Sequence, residues 1–196
     1  GGVGFPGPGG RRMGEPRTGG GRLLEPPEIG AGLAAARGPQ PLAGQRVLVS
    51  AGPTFEDIDP VRFIGNRSSG RMGFAVAAES WARGAEVVIV AGATTAAVPD
   101  GPRVVRIETA EQLRDAVLAE LPGTDCLVMA AAVADFRPAT VASSKVRREA
   151  GPSDIALEPT PDVLREVAAR DDRPLLVGFA AETEEPLIGG RRKIDS

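Results

Sequence analysis

The stretch Val47 to Gly73, VLVSAGPTFEDIDPVRFIGNRSSGRMG, carries the reading of the whole chain. Val47, Leu48 and Val49 with Ser50 form a short apolar run that breaks at Ala51-Gly52-Pro53-Thr54, the pattern of a buried strand ending in a turn at its carboxyl end. A loop bearing Asp57, Asp59 and Arg62 follows, then Asn66, Arg67, Ser68, Ser69 and Gly70, then an apolar helical pattern from Met72 to Arg83 closed by Gly84. Gly65, Gly70 and Gly73 are therefore expected around a helix N-terminus, where free backbone N–H groups and the helix dipole favour an anion. The first expectation is a phosphate-bearing ligand.

Working outward, the pattern alternates. A strand at Glu86 to Ala91 precedes a Thr/Ala/Pro/Gly loop and a short strand at Val104 to Ile107. Thr109 opens a helix, with Gln112 three residues on completing a capping box and Leu113, Val117 and Leu118 facing inward; it stops near Pro122-Gly123. Cys126 to Ala132 reads as one continuous apolar strand, covered on both faces. The basic segment Lys145 to Arg148, a strand at Ile155 to Leu157, a helix from Pro161 or Asp162 to about Arg170, a strand at Leu175 to Val177 and an incomplete helix after Glu182 complete the list. This spacing predicts an α/β, Rossmann-like, mainly parallel sheet with helices on both faces, whose ligands bind beyond the carboxyl ends of the strands.

Residues 1–42 are rich in Gly, Pro and Arg and are expected to be a flexible lead-in, with residues 43–196 as the folded domain. The chain has 196 residues, 42% hydrophobic and 25% charged, enough for one core. A net charge of −3 with 4% aromatics argues against a nucleic-acid surface. No apolar run reaches the ~20 residues of a membrane span. A soluble cytoplasmic protein is the expectation. With no His and no Tyr, Ser-His-Asp catalysis, histidine-ligated metals and tyrosine proton donors are excluded. The single cysteine, Cys126, sits in an apolar run and reads as a core side chain rather than a nucleophile.

Four separated motifs narrow this to a family. DPVRFIGNRSSGRMG (Asp59 to Gly73), AAAVADFRP (Ala130 to Pro138), the basic stretch at Lys145 and VGFAAET (Val177 to Thr183) together resemble phosphopantothenoylcysteine synthetase, the ligase half of the bacterial bifunctional coenzyme A biosynthesis protein. Residues 21–29, GRLLEPPEI, look like the tail of the decarboxylase half, the part of that protein that uses FMN. The resemblance implies CTP as co-substrate with Mg²⁺, 4′-phosphopantothenate and L-cysteine as substrates, an acyl-cytidylate intermediate, and a homodimer fused to or associated with the decarboxylase domain. It also implies that the family domain continues past Ser196, leaving the sheet incomplete at its C-terminal end. Such a truncated sheet is expected to turn over weakly or not at all.

The resemblance further implies roles for individual residues. Lys145 stabilises charge on the α-phosphate, and Asn66 grips the intermediate. Arg62, Ser68, Ser69 and Gly70 hold substrate. Met129, Ala130, Ala131, Asp135, Glu158, Pro159, Thr160, Pro161, Phe179 and Lys193, with Lys145, line the nucleotide pocket. Metal ligands are not indicated. Each residue also has a plainer reading: Lys145 as a solvated basic turn, Asn66 as a turn former, Arg62 as a brace for Asp59, Ser68 and Ser69 as helix caps, and the alanines as strand packing. Thr160 stands where the family usually has Asn, and Arg147 and Arg148 stand where lysines are common. Two other classes remain in view, a non-catalytic phosphoryl-ligand module and a nicotinamide-dependent dehydrogenase. The dehydrogenase fits poorly, because its glycines directly follow the strand.

Overall fold

The computed structural model describes residues 9–12, 18–22, 29–30, 40–147 and 154–179. In chain order the elements are β1 (Gly9–Arg12), β2 (Thr18–Arg22), β3 (Arg46–Ala51), β4 (Phe55–Asp59), β5 (Arg62–Gly65), α1 (Arg71–Ala82), β6 (Glu86–Ala91), β7 (Arg103–Arg106), α2 (Ala110–Glu120), β8 (Cys126–Met129), β9 (Phe136–Pro138), β10 (Leu157–Pro159), α3 (Val163–Ala168) and β11 (Leu175–Gly178). Five strands form the central sheet in the order β11-β8-β3-β6-β7, and every neighbouring pair in it is parallel. From β3 the chain steps out to β6 and β7, then crosses back to β8 and β11. The switch in direction falls between β3 and β8, and the crevice beyond their carboxyl ends is where an open α/β sheet places its ligand.

Alternation along the strands explains the two-sided core. Leu48, Val88, Val90, Leu127 and Met129 pack on one face with Leu113 and Val117 of α2 and Val163 and Val167 of α3. Val47, Val49, Val87, Ile89 and Val128 pack on the other with Phe74 and Ala77 of α1. Each fully buried aliphatic side chain of this kind contributes roughly 1.5–3 kcal/mol. Helix α1 lies so close to β3 that a Cβ on Gly73 would stand 2.7 Å from the Ala51 Cβ and 2.9 Å from the Ser50 carbonyl oxygen. Only a residue without a side chain permits that approach.

The start of α2 is doubly capped. Thr109 Oγ1 accepts from the Gln112 N–H, and the Gln112 side chain accepts in return from the Glu108 N–H. The buried Glu56 carboxylate of β4 accepts from the Ala110 N–H at 2.8 Å, placing a negative group at the positive end of the helix dipole. Arg114 of α2 makes a two-pronged ion pair with Glu166 of α3, which raises the arginine's pKa and lowers the glutamate's through hydrogen bonding.

Several expectations are corrected. Asp57 to Arg62 is not a loop, because residues 55–65 form the antiparallel hairpin β4–β5 with Phe55 and Phe63 stacked at 4.0 Å. Its Asp, Glu and Pro content hides the strand pattern, and the turn is closed by side chains instead. Gly65 consequently ends β5 opposite Phe55 and does not belong to a helix N-terminus. The run Cys126–Ala132 stops as a strand at Met129, since β3 ends at Ala51 and Gly52 turns into a left-handed conformation, leaving only an isolated bridge between Pro53 and Ala132 beyond it. The strand foreseen at Ile155–Leu157 lies at Leu157–Pro159, paired with β9. Helix α3 ends at Ala168, short of Arg170, and its N-cap is Asp162, accepting from the Arg165 N–H. Apart from these corrections, β1 and β2 of the glycine-rich lead-in pair antiparallel, which backbone groups can do without side chains. Arg148, the helix after Glu182, Lys193 and the question of a further strand beyond β11 lie outside the described residues.

Candidate functional site

The rim beyond the carboxyl ends of β3 and β8 is built mainly from backbone and two buried hydroxyls. Ser50 Oγ, fully buried, accepts from the Ala131 N–H at 3.1 Å and donates to the Met129 sulfur at 3.6 Å. Thr54, equally buried, accepts on Oγ1 from the Ala134 N–H at 2.9 Å. Between them the Ala132 N–H donates to the Gly52 carbonyl and the Thr54 N–H to the Ala132 carbonyl. Residues 130–134 therefore run along residues 50–54 with the small alanine side chains out of the way. Asn66 closes this rim by donating from Nδ2 to the Val133 carbonyl at 2.7 Å.

The N-terminus of α1 opens onto the same rim. Its N-cap, Gly70, has φ +75°, a left-handed conformation suited to glycine, and no side chain caps the helix. The Ser68 hydroxyl accepts from the Gly70 N–H instead, and the Ser69 carbonyl accepts from the Thr94 hydroxyl. No acidic residue occupies the first turn, and Arg67 and Arg71 on either side are exposed. Uncapped N–H groups flanked by guanidinium groups favour an anion here.

Lys145 belongs to a segment fastened across the β4–β5 hairpin. The Ala142 N–H donates to the Ile58 carbonyl, and Val146 is held by both its polar main-chain groups: its N–H donates to Asp59 Oδ2, and its carbonyl accepts from Arg62 Nη2 at 2.6 Å. Asp59 is 1% exposed and also accepts from the Val61 and Arg62 N–H groups and the Arg62 side chain. Burial pushes its carboxyl up, but these hydrogen bonds outweigh that and hold it at about 2, below the ordinary 3.8. Lys145 itself is exposed and bonds to no other described residue.

Thus the structure joins Asn66, which directly follows the hairpin, and the Lys145 segment, which is bonded to Asp59 and Arg62, to one hairpin. Arg62 braces Asp59 and Val146. The segment after β8 brings Met129, Ala130, Ala131 and Asp135 together, and Thr160 supports it, donating from Oγ1 to the Ala134 carbonyl and from its N–H to the Asp135 carbonyl. Asp135 is exposed at this rim. Glu158 is engaged with Arg137, which also pairs with Glu111, so its carboxylate faces the β9–β10 ribbon. Pro159 and Pro161 flank Thr160, and Phe179 follows β11 directly, half exposed at the carboxyl end of the sheet. Lys193 is outside the described residues. Sequence reasoning missed Ser50 and Thr54 as rim supports and Asp59 as a hub. The available signal was a hydroxyl in a buried run, which must find a hydrogen-bond partner.

The dehydrogenase reading loses its geometric basis, because the β4–β5 hairpin separates β3 from α1 where a dinucleotide fingerprint has only a glycine turn. Among the described residues, no helix is long and apolar enough to cross a membrane. A parallel sheet with polar groups gathered at its switch point makes this a Rossmann-like α/β domain. More particularly, the chain belongs to the family of the DNA/pantothenate metabolism flavoprotein C-terminal domain, whose model matches residues 42–196.

Similar curated proteins include the coenzyme A biosynthesis bifunctional protein CoaBC of Mycobacterium tuberculosis (strain ATCC 25618 / H37Rv), 51% identical over 179 residues, covering 85% of this chain and 43% of that protein. CoaBC of Vibrio vulnificus (strain YJ016) is 39% identical over 181 residues, covering 91% of this chain and 45% of its own length. The chain thus spans a little under half the length of these relatives. The crystal structure of the C-terminal domain of a CoaBC superposes with a TM-score of 0.69 at 40% identity, covering 79% of this chain and 73% of that one. A Cab2 mutant in complex with phosphopantothenate-cysteine shares the fold at a TM-score of 0.66 and 19% identity, covering 77% and 69%.

Proposed function

We propose that this chain is the ligase domain of a coenzyme A biosynthesis protein, joining 4′-phosphopantothenate to L-cysteine with CTP cleaved to CMP and pyrophosphate. The observation that carries the reading is the coincidence of the family motifs with the switch-point rim: Asn66 bonded to Val133 above β8, and the Lys145 segment clasped to the hairpin that leads into Asn66. The relatives named for coenzyme A biosynthesis, at 39% and 51% identity, support the pathway.

A carboxylate is a poor acylating agent, so activation precedes amide formation. In the first step a carboxylate oxygen of 4′-phosphopantothenate attacks the α-phosphorus of CTP, the bond to the bridging oxygen breaks and pyrophosphate leaves. In the second the cysteine amine attacks the acyl carbon, the C–O bond of the mixed anhydride breaks, CMP leaves and the amine proton passes to solvent. Both steps gather negative charge, which the exposed Lys145 ammonium is suited to offset. The Asn66 amide keeps a carbonyl oxygen and a second N–H for the intermediate while its first N–H holds Val133. Arg67, Ser68, Ser69, Gly70 and Arg71 offer the anion site for a phosphate.

Met129, Ala130, Ala131 and Asp135 with Thr160 border the nucleotide, and Phe179 sits at the carboxyl edge. Among the described residues no cluster of three or more His, Cys, Asp or Glu could hold a metal ion. Mg²⁺ would therefore be carried in by the triphosphate, and the exposed Asp135 would offer it a rim carboxylate while the ion offset phosphate charge. The same reading includes a cytoplasmic location, a homodimer covering the exposed Val61, Phe63 and Val141 of the hairpin region, and an FMN-dependent decarboxylase domain fused to or associated with this one.

The test uses the full-length protein. Pyrophosphate release that requires both CTP and 4′-phosphopantothenate, followed by amide formation only when cysteine is added, is the expected result. Tight binding of the phosphorylated substrate with no pyrophosphate release would replace the ligase with a binding module.

A further inference from the structure

Asp59 is the most heavily bonded buried charge among the described residues, and the reaction above makes no use of it. One oxygen, Oδ1, closes the hairpin turn by accepting from the Val61 and Arg62 N–H groups at 2.8 and 2.9 Å. That task needs a single acceptor, and asparagine serves it in many turns. The other oxygen, Oδ2, faces donors only: Arg62 Nε at 2.9 Å, Arg62 Nη2 at 2.5 Å and the Val146 N–H at 3.2 Å. Arg62 Nη2 in turn reaches the Val146 carbonyl at 2.6 Å. Both main-chain polar groups of the residue after Lys145 are therefore taken by one ion pair, a buried carboxylate with a half-exposed guanidinium.

We propose that Asp59, acting with Arg62, is a positioning residue for Lys145: the pair clasps Val146 at both main-chain polar groups and fixes where the neighbouring ammonium is presented. The segment is tethered once at Ala142, to Ile58, and twice at Val146, to Asp59 and Arg62, so Lys145 sits one residue from the double tether. Its side chain stays exposed, so the clasp orders the backbone without occupying the amine. An asparagine at 59 would turn an NH₂ group toward these donors, or toward the two turn N–H groups, and either orientation breaks one half of the arrangement. The clasp itself is geometric; its catalytic consequence rests on the role given to Lys145 above.

The experiment compares full-length wild type, Asp59→Asn, Lys145→Gln and the double variant. Pyrophosphate release at saturating substrates should fall about ten- to hundredfold in Asp59→Asn with KM for CTP little changed, as expected when a reacting group is misplaced while substrate binding stays intact. In the Lys145→Gln background the same substitution should change the rate less than about twofold, because the residue it positions is gone. An equal loss in both backgrounds overturns the proposal. Independently, with no substrate present, tryptic cleavage after Lys145, followed by mass spectrometry, should speed up about tenfold in Asp59→Asn as the segment opens locally. Unchanged cleavage overturns the clasp whatever the activity. Faster cleavage in Asp59→Asn, in a protein whose wild type never releases pyrophosphate, overturns the role of Lys145 instead. Arg62→Met, which keeps the turn bonds of Asp59 and frees the Val146 carbonyl, supplies the same readouts should Asp59→Asn fail to fold.

Discussion

The two sides of the candidate site are held in different ways. On the β8 side, residues 130–134 are secured by backbone bonds to Gly52 and Thr54 and by the buried hydroxyls of Ser50 and Thr54, all continuous with the sheet core. On the hairpin side, Lys145 hangs from a segment secured chiefly by one carboxylate and one guanidinium, beside the half-exposed Phe63 and Val61. The first side shares its bonds with the sheet strands and the second does not, so the second is expected to open while the sheet stays folded. This contrast predicts that substitutions on the two sides separate stability from turnover.

The largest effect is expected at Lys145. Replacing it with Gln removes the charge that the proposed reaction would draw on and nothing that the fold uses, since the side chain is exposed and bonds to no other described residue. Pyrophosphate release in the full-length protein should drop about 10²–10³-fold, the scale for loss of one transition-state charge stabiliser. The thermal midpoint should not move. A lowered midpoint with normal turnover would invert the comparison.

How far the residues alone disclose this contrast differs between the two sides. The parallel sheet was legible because Val47 to Val49, Val87 to Val90 and Leu127 to Met129 are apolar runs of strand length separated by helix-length patterns, and period and length suffice to identify such runs. The α2 cap was legible from Thr109 and Gln112 for the same local reason. The β4–β5 hairpin was not, because Glu56, Asp57, Asp59 and Pro60 disguise its strands, and the two buried carboxylates owe their places to partners far along the chain. Glu56 caps a helix 54 residues away, and Asp59 holds Val146 across 87. The candidate site was legible as motifs, with Asn66 and Lys145 marked by resemblance, while the carbonyl of Val133 that helps organise the rim carries no sequence signal and the hydroxyl of Thr54 none beyond its burial.

Thr54→Val sharpens the comparison from the other side. The substitution keeps the volume but leaves the buried Ala134 N–H without its acceptor, a loss of about 1–3 kcal/mol in chemical denaturation. Turnover measured well below the shifted midpoint should fall much less than in Lys145→Gln, through the position of residues 130–134 alone. Should Thr54→Val silence the enzyme at unchanged stability, the rim would be a reacting surface rather than a scaffold.

The smallest effect concerns acid. Asp59 ionises at about 2 in the folded chain against an ordinary 3.8, so its carboxylate favours the folded state wherever both states would otherwise differ in protonation. The sign follows from the depressed value: the contribution is complete above about pH 4, declines as pH falls from there and is gone once pH passes below about 2. Asp59→Asn has no such titration. The gap in thermal midpoint between wild type and Asp59→Asn should therefore be constant from pH 7 to pH 5 and close as pH approaches 2. Because its acceptor is the carboxylate that becomes protonated, hydrogen exchange at the Val146 amide, corrected for its intrinsic pH dependence, should lose protection in that window before the amides of β3 do. Simultaneous loss at both places would mean that the hairpin and the sheet open as one unit, and the separation of turnover from stability would then have to be sought in the side chains alone.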